Sequence, residues 1–124
     1  MREIIVTADA PSSPFYSQGI KAGGHIYVSG TIGLDVATGV LASANIEEQT
    51  RQALGNCAAI LAAGGASLED VVEVGVLLAD PDDFAGMNTA YASVFANNPP
   101  TRYVARLGPV IPGVLVSIRM TAVD

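Results

Sequence analysis

Arg102 is the residue of this 124-residue chain best equipped to bind an anion. It follows Pro99-Pro100-Thr101, where a helix cannot continue and a strand can begin. No Asp or Glu occurs between Phe84 and Val123, so the guanidinium has no acid nearby in sequence. Its planar fork of donors matches a carboxylate, and a substrate carboxylate is one such anion. The plainer alternative is an ion pair with an acid from another subunit. Other reactive equipment is sparse. The one histidine, His25, adjoins Gly23-Gly24 as a turn cap would, and the one cysteine, Cys57, falls on an apolar helical stripe. Neither a Ser-His-Asp triad nor a His-based metal site is supported. Ser117, with no histidine partner, is read as a hydrogen-bonding or space-filling residue rather than a nucleophile. The glycine-rich stretches 23–24 and 30–39 lack phosphate-loop spacing and a following Lys-Ser/Thr, so nucleotide binding is unsupported.

Composition narrows the setting. Half the residues are apolar, 13 are Gly and only 15% are charged, which describes a single globular domain over 1–124. That much apolar surface in a small domain predicts an oligomer whose interfaces absorb the surplus. The net charge of −6 argues against nucleic acid and against an anionic membrane as partners. Gly, Asp and Arg interrupt every apolar run well short of a membrane span, and the first residues show no signal-peptide pattern. A lone cysteine fits a reducing compartment, so a cytoplasmic protein is expected.

Several elements must position Arg102. Glu3–Val6 reads as a short strand, followed by a Pro/Ser-rich loop over 11–19. Ile20-Lys21 and His25–Ser29 form a hairpin about Gly23-Gly24. Residues 30–39 read as a loop with a turn at Asp35–Gly39. Asn45, with Glu48 three residues on, has the form of a capping box for a helix over 46–63, ended at Gly64-Gly65. Val71–Leu78 reads as a strand buried on both faces. Asp80-Pro81-Asp82-Asp83 starts a second helix whose buried stripe is Phe84, Met87, Tyr91, Val94 and Phe95, stopped by Asn97-Asn98-Pro99. Strands over 102–107 and 113–123 finish the chain. The order β-β-β-α-β-α-β-β predicts an α+β fold, one mixed sheet with two helices packed on one face. Alternation puts Val114, Val116, Ile118, Met120 and Ala122 under the helices, and Leu115, Ser117, Arg119, Thr121 and Val123 on the open face. By the same rule Arg102, Val104 and Arg106 share a face, which is expected to be the open one. Arg106 and Arg119 are expected to pair with acids across an interface, with a second anion-binding role as the sharper alternative.

The chain resembles the reactive intermediate deaminase family (RidA, or YjgF-like, also termed endoribonuclease L-PSP) along its whole length. The resemblance rests on Tyr16-Ser17-Gln18-Gly19, Val28-Ser29-Gly30, the Asp35…Thr38-Gly39 turn, Gln49–Leu54 with Asn56, Asp70-Val71-Val72, Asp82-Asp83-Phe84 with Met87-Asn88 and Tyr91, and Pro100-Thr101-Arg102. It implies a chorismate-mutase-like fold assembled as a homotrimer whose sheets form an inner barrel, with sites in clefts between subunits. It also implies hydrolysis of 2-imino acids, formed from enamines released by pyridoxal-phosphate dehydratases, to 2-keto acids and ammonia without a metal or organic cofactor. Arg102 matches the arginine that grips the substrate carboxylate; Tyr16, Ser29, Gly30 and Asn88 match residues lining that cleft. Val104 stands where archetypal members have a cysteine, and its backbone contact is preserved. Ser117 stands where the archetype carries a glutamate thought to position or activate water. Pro14-Phe15 replaces the usual Gly-Pro, and Arg119 a position commonly acidic or neutral. These departures mark a divergent member.

Two function classes follow. One is a hydrolytic deaminase of small 2-imino or enamino carboxylic acids, with Arg102 holding the carboxylate and Ser117 orienting water at most. The other is a non-catalytic trimer that binds small 2-keto or related carboxylates, or regulates a partner protein. Loss of imine in a coupled assay separates them.

Overall fold

The computed structural model describes residues 1–124. Its strands are β1 (Glu3–Ile5), β2 (Gly19–Ala22), β3 (His25–Ile32), β4 (Leu34–Asp35), β5 (Val40–Leu41), β6 (Val71–Leu78), β7 (Thr101–Arg106) and β8 (Val116–Val123); its helices are α1 (Ile46–Ala63) and α2 (Phe84–Val94). Six strands form one mixed sheet in the order β1-β2-β3-β8-β6-β7, while β4 and β5 pair separately. Every pairing is antiparallel except β6 with β7, which is parallel because α2 carries the chain back across the sheet. The expected α+β architecture is the observed one.

The helices form where the sequence places their ends. Asn45 accepts hydrogen bonds at Oδ1 from the backbone N–H groups of Glu47 and Glu48, at 2.8 and 3.2 Å, and so caps α1. The second half of the expected capping box is replaced, because the Asn45 N–H donates to Ser43 Oγ instead. Gly65, at φ +88°, supplies the left-handed residue after α1. A 3₁₀ turn over Pro81–Asp83, capped by Asp80, leads into α2.

One face of the sheet packs on the helices. Val116, Ile118, Met120 and Ala122 of β8 are fully buried there beside Val74 and Val76 of β6, Ile26 of β3, Leu54, Ile60 and Leu61 of α1 and Met87 of α2. Cys57 joins this core and donates its thiol to the Ile118 carbonyl at 3.6 Å. On the other face of β8, Ser117, Arg119 and Thr121 are half-buried, as is Leu115 just before the strand.

Three expectations are corrected. β3 runs on to Ile32, and the region read as a loop over 30–39 contains the end of β3, all of β4 and a turn in which the Gly39 N–H donates to the Asp35 carbonyl, leading into β5. β8 begins at Val116 rather than 113, because the buried Gln49 side chain, not a neighbouring strand, accepts the Leu115 N–H. Phe84 is 46% exposed instead of buried, since as the first residue of α2 it faces the sheet-edge strand β7 rather than the core.

Candidate functional site

Strand β7 places Arg102, and its register with β6 decides the face. Val74 pairs with Arg102, Val76 with Val104 and Leu78 with Arg106. Directly paired residues share a face, and Val74, Val76 and Leu78 all lie under the helices. Arg102, Val104 and Arg106 therefore project on the helix side, not on the open side that the sequence suggested. The side chains of β7 alternate as the sequence predicts, but which face is which depends on the pairing with β6, which the local pattern does not reveal.

Helix α2 builds the seat of the guanidinium. Phe84, Met87, Asn88 and Tyr91 recur at helical spacing and so line one face of α2. Arg102 Nη1 donates to Asn88 Oδ1 at 2.7 Å and touches Met87 Sδ at 4.0 Å. The guanidinium carbon lies 4.7 Å from the Tyr91 ring centre and 5.9 Å from that of Phe84. Such π contacts hold a cation without neutralising it. Three salt bridges form within the chain, Lys21–Asp124, Arg51–Glu47 and Arg119–Glu73, and none involves Arg102. Its Nε and Nη2 groups donate no side-chain hydrogen bond within the chain. The result is a fixed, uncompensated cation with spare donors, which suits a planar anion. Tyr91 and Phe84 belong to this seat although the sequence reading assigned them to core packing; their shared helix face with Asn88 was the available signal. The buried Tyr91 hydroxyl has no partner within the chain, and its pKa is raised by burial, against an opposing pull from Arg102.

The remaining site residues gather elsewhere, around a bulge in β3. Val28 pairs with Met120 and Thr31 with Ile118, so Ser29 and Gly30 together oppose the single residue Arg119. Ser29 Oγ donates to the Ser17 carbonyl and the Ser29 N–H to that of Gln18, which ties the bulge to the Tyr16 loop. That loop is latched by Gln18: its side-chain amide donates to the carbonyls of Thr7, Ala10 and Pro11 and its Oε1 accepts from the Thr7 N–H. Tyr16, Tyr27, Ser29 and Arg119 line a hollow of about 340 Å³, which a smaller one of about 150 Å³ beside Gly30 adjoins at Tyr16 and Ser29. Ser117 is close by, with its Oγ 3.1 Å from the position a Cβ on Gly30 would take.

Within the chain Arg119 pairs with Glu73, at 3.1 Å, and donates to Thr121 Oγ1. Burial opposes its charge, yet Glu73 and Tyr103 outweigh burial and raise its pKa. Arg106 forms no ion pair within the chain. His25 Nδ1 contacts the Gly23 carbonyl at 3.1 Å, the turn-cap role read from sequence. No group of three His, Cys, Asp or Glu side chains comes together, and no helix is long and apolar enough to cross a membrane.

Within one chain, then, the candidate residues fall into two groups that stand apart. Arg102, Asn88 and Val104 sit at the β7 edge on the helix side. Tyr16, Ser29, Gly30 and Ser117 sit by β3 and β8, with Ser117 on the opposite face of the sheet. β3 and β7 are three strand spacings apart, roughly 14 Å.

Residues 7–124 match the family model described as endoribonuclease L-PSP. The chain is 43% identical over 124 residues to a RutC family protein of Pyrococcus horikoshii, covering 98% of each. It is 38% identical over 126 residues to the human 2-iminobutanoate/2-iminopropanoate deaminase, covering all of this chain and 91% of that one. A putative endoribonuclease L-PSP of Entamoeba histolytica superposes over the whole of both chains with a TM-score of 0.94 at 36% identity. E. coli TdcF, solved with bound serine, superposes with a TM-score of 0.91 at 31% identity over 98% of each chain. The architecture is the chorismate-mutase-like one shared by these relatives.

Proposed function

Since the chain belongs to the endoribonuclease L-PSP family, the RidA or YjgF-like proteins, we propose that it hydrolyses small 2-imino carboxylic acids to 2-keto acids and ammonium. The observation that carries this reading is Arg102, an arginine clamped by Asn88, Tyr91 and Phe84 that forms no salt bridge with any carboxylate of its own chain. The name of the human relative supplies the substrate class, and a serine-bound relative gives a precedent for a small carboxylate ligand.

The reaction R–C(=NH₂⁺)–COO⁻ + H₂O → R–CO–COO⁻ + NH₄⁺ balances without an oxidant or a cofactor. A protonated imine is already electrophilic, so the protein's contribution is to bind, orient and place water. Arg102 grips the carboxylate through its unused donors, and Asn88 fixes the plane of the fork. The backbone at Val104 borders the same edge. Water adds to the imine carbon, a proton passes from the added oxygen to nitrogen, and ammonia leaves. Ser117 Oγ orients that water; a hydroxyl near its ordinary pKa is a weak base, and a stronger one would supply roughly 10²–10⁴-fold in rate.

Because the two groups stand apart in one chain, the reading requires a second copy. The β7 edge of one subunit faces the Tyr16, Ser29, Gly30 and Ser117 group of its neighbour in a homotrimer. The family's ribonuclease label is not followed, because a chain of net charge −6 makes a poor partner for a phosphate backbone.

The test follows imine loss when a pyridoxal-phosphate dehydratase generates the substrate. Wild type accelerates the loss, and Arg102→Ala cuts kcat/KM by roughly 10²–10⁴-fold, as expected for losing a charge-assisted pair of hydrogen bonds. Full activity in Arg102→Ala sinks the assignment. Tight binding of 2-keto acids without acceleration supports the non-catalytic carboxylate binder instead.

A further inference from the structure

The side chain of the substrate has its own place beside Arg102. A groove of about 410 Å³ is lined by Leu78, Pro81, Phe84, Val104, Ala105 and Arg106. It adjoins the carboxylate seat at Phe84, whose ring centre lies 5.9 Å from the Arg102 guanidinium carbon and which also walls the groove. Val104 stands two residues from Arg102 on the same face, roughly 7 Å along the strand. A carboxylate held on Arg102 thus leaves its α-carbon substituent within reach of the groove. The space exceeds what a methyl or ethyl group fills, and its walls are mostly apolar.

Charge narrows the occupant further. Arg106 at the far end, without an ion pair in its own chain, looks suited to a second carboxylate. But the turn that contributes Pro81 carries Asp80, Asp82 and Asp83, and no other basic side chain lines the groove. Those three acids flank the groove without lining it and offset the charge of Arg106, which leaves the apolar walls to select the side chain.

Building on the deaminase reading, we propose that this groove selects 2-imino acids with long, uncharged apolar side chains, branched aliphatic or benzylic, over those with methyl, ethyl or carboxyethyl groups. Val104 and Phe84 are the specificity-determining residues.

The experiment generates 2-imino acids in situ with an amino-acid oxidase from alanine, leucine, phenylalanine and glutamate, and measures kcat/KM for each. In parallel, calorimetry measures the Kd of the corresponding 2-keto acids. The leucine- and phenylalanine-derived compounds are expected to exceed the alanine-derived one by about tenfold or more in both series, with the glutamate-derived one lowest. In Val104→Phe, the ratio of phenylalanine- to alanine-derived values falls at least tenfold. Hydrolysis with a flat or methyl-favouring profile overturns the proposal and leaves the deaminase reading standing. Absence of hydrolysis with the same side-chain order in the 2-keto acid affinities overturns the deaminase reading and supports the groove. No graded binding of any 2-keto acid overturns the groove as well.

Discussion

Arg102 shows how an apparently lone charge is held in place without being satisfied. One amide oxygen, one sulfur and two ring faces fix its position, while the carboxylates that would quench it are absent from the chain between Phe84 and Val123. A lysine retains the charge but loses the planar fork and its stacking on Tyr91. Arg102→Lys is therefore expected to keep a small fraction of the wild-type kcat/KM, above Arg102→Ala, with the loss appearing mainly in KM. Steady-state kinetics of both variants checks this order. Cys57 is the opposite kind of residue, inert because it is buried. Burial pushes its thiol up to about 12 from an ordinary 9, outweighing the opposing effect of a hydrogen bond with Thr31. The unfolded chain therefore releases this proton at a lower pH than the folded one. The contribution to stability is full below pH 9 and is lost as the pH rises from about 9 towards 12. Thermal melts across that range should fall more steeply for wild type than for Cys57→Ala, and the native thiol should resist thiol reagents at pH 8.

At the scale of elements, buried amides do the work of joining loops to the frame. Gln49 is fully buried in α1. It donates to the carbonyls of Ser43 and Gly113 and accepts from the Leu115 N–H, fastening the segment that leads into β8. Gln49→Ala strands these backbone groups away from water, and a loss of roughly 2–4 kcal/mol is expected in chemical denaturation. Asn56 serves the β3–β4 junction similarly, donating to the carbonyls of Ile32 and Leu34. Much of this level was legible in the sequence. The span of α1, its Asn45 cap, the hairpin at Gly23-Gly24 and the buried face of β8 all follow from local pattern. What was not legible is anything that depends on partners distant in the chain. The faces of β7 alternate visibly, but only its parallel register with β6 says that Arg102 points toward α2. The β3 bulge at Ser29-Gly30 is likewise invisible until β8 is beside it, and the roles of Gln18 and Gln49 emerge only with the loops they hold.

For the whole molecule, one chain presents the candidate residues in two separate groups, which the proposed function reads as two halves of one site. Tyr27, Tyr103, Val72 and Val123 also leave substantial apolar area exposed on the sheet, of the kind that marks an interface. The proposed homotrimer makes a sharp prediction about mixtures. Arg102→Ala spoils one half-site, and Gly30→Phe obstructs the other. Each variant alone should be nearly inactive. Co-refolded at equal amounts, they should recover about a quarter of wild-type activity, because a site is intact only when its arginine half comes from the Gly30→Phe variant and its other half from the Arg102→Ala variant. Sedimentation would show the same assembly for both parents and the mixture; recovery near zero with trimers formed would mean that each site lies within one chain.

β7 has a single hydrogen-bonded neighbour, β6, and its far edge is unpaired. In a free subunit its amides should therefore exchange with solvent early, through local fraying that spares the centre of the sheet. The strand that carries Arg102 would then, like the other edge strand β1, be less ordered than the centre of the sheet before assembly. Dilution would lower affinity by loosening the arginine before any subunit unfolds, and a bound 2-keto acid would slow exchange first along Thr101–Arg106.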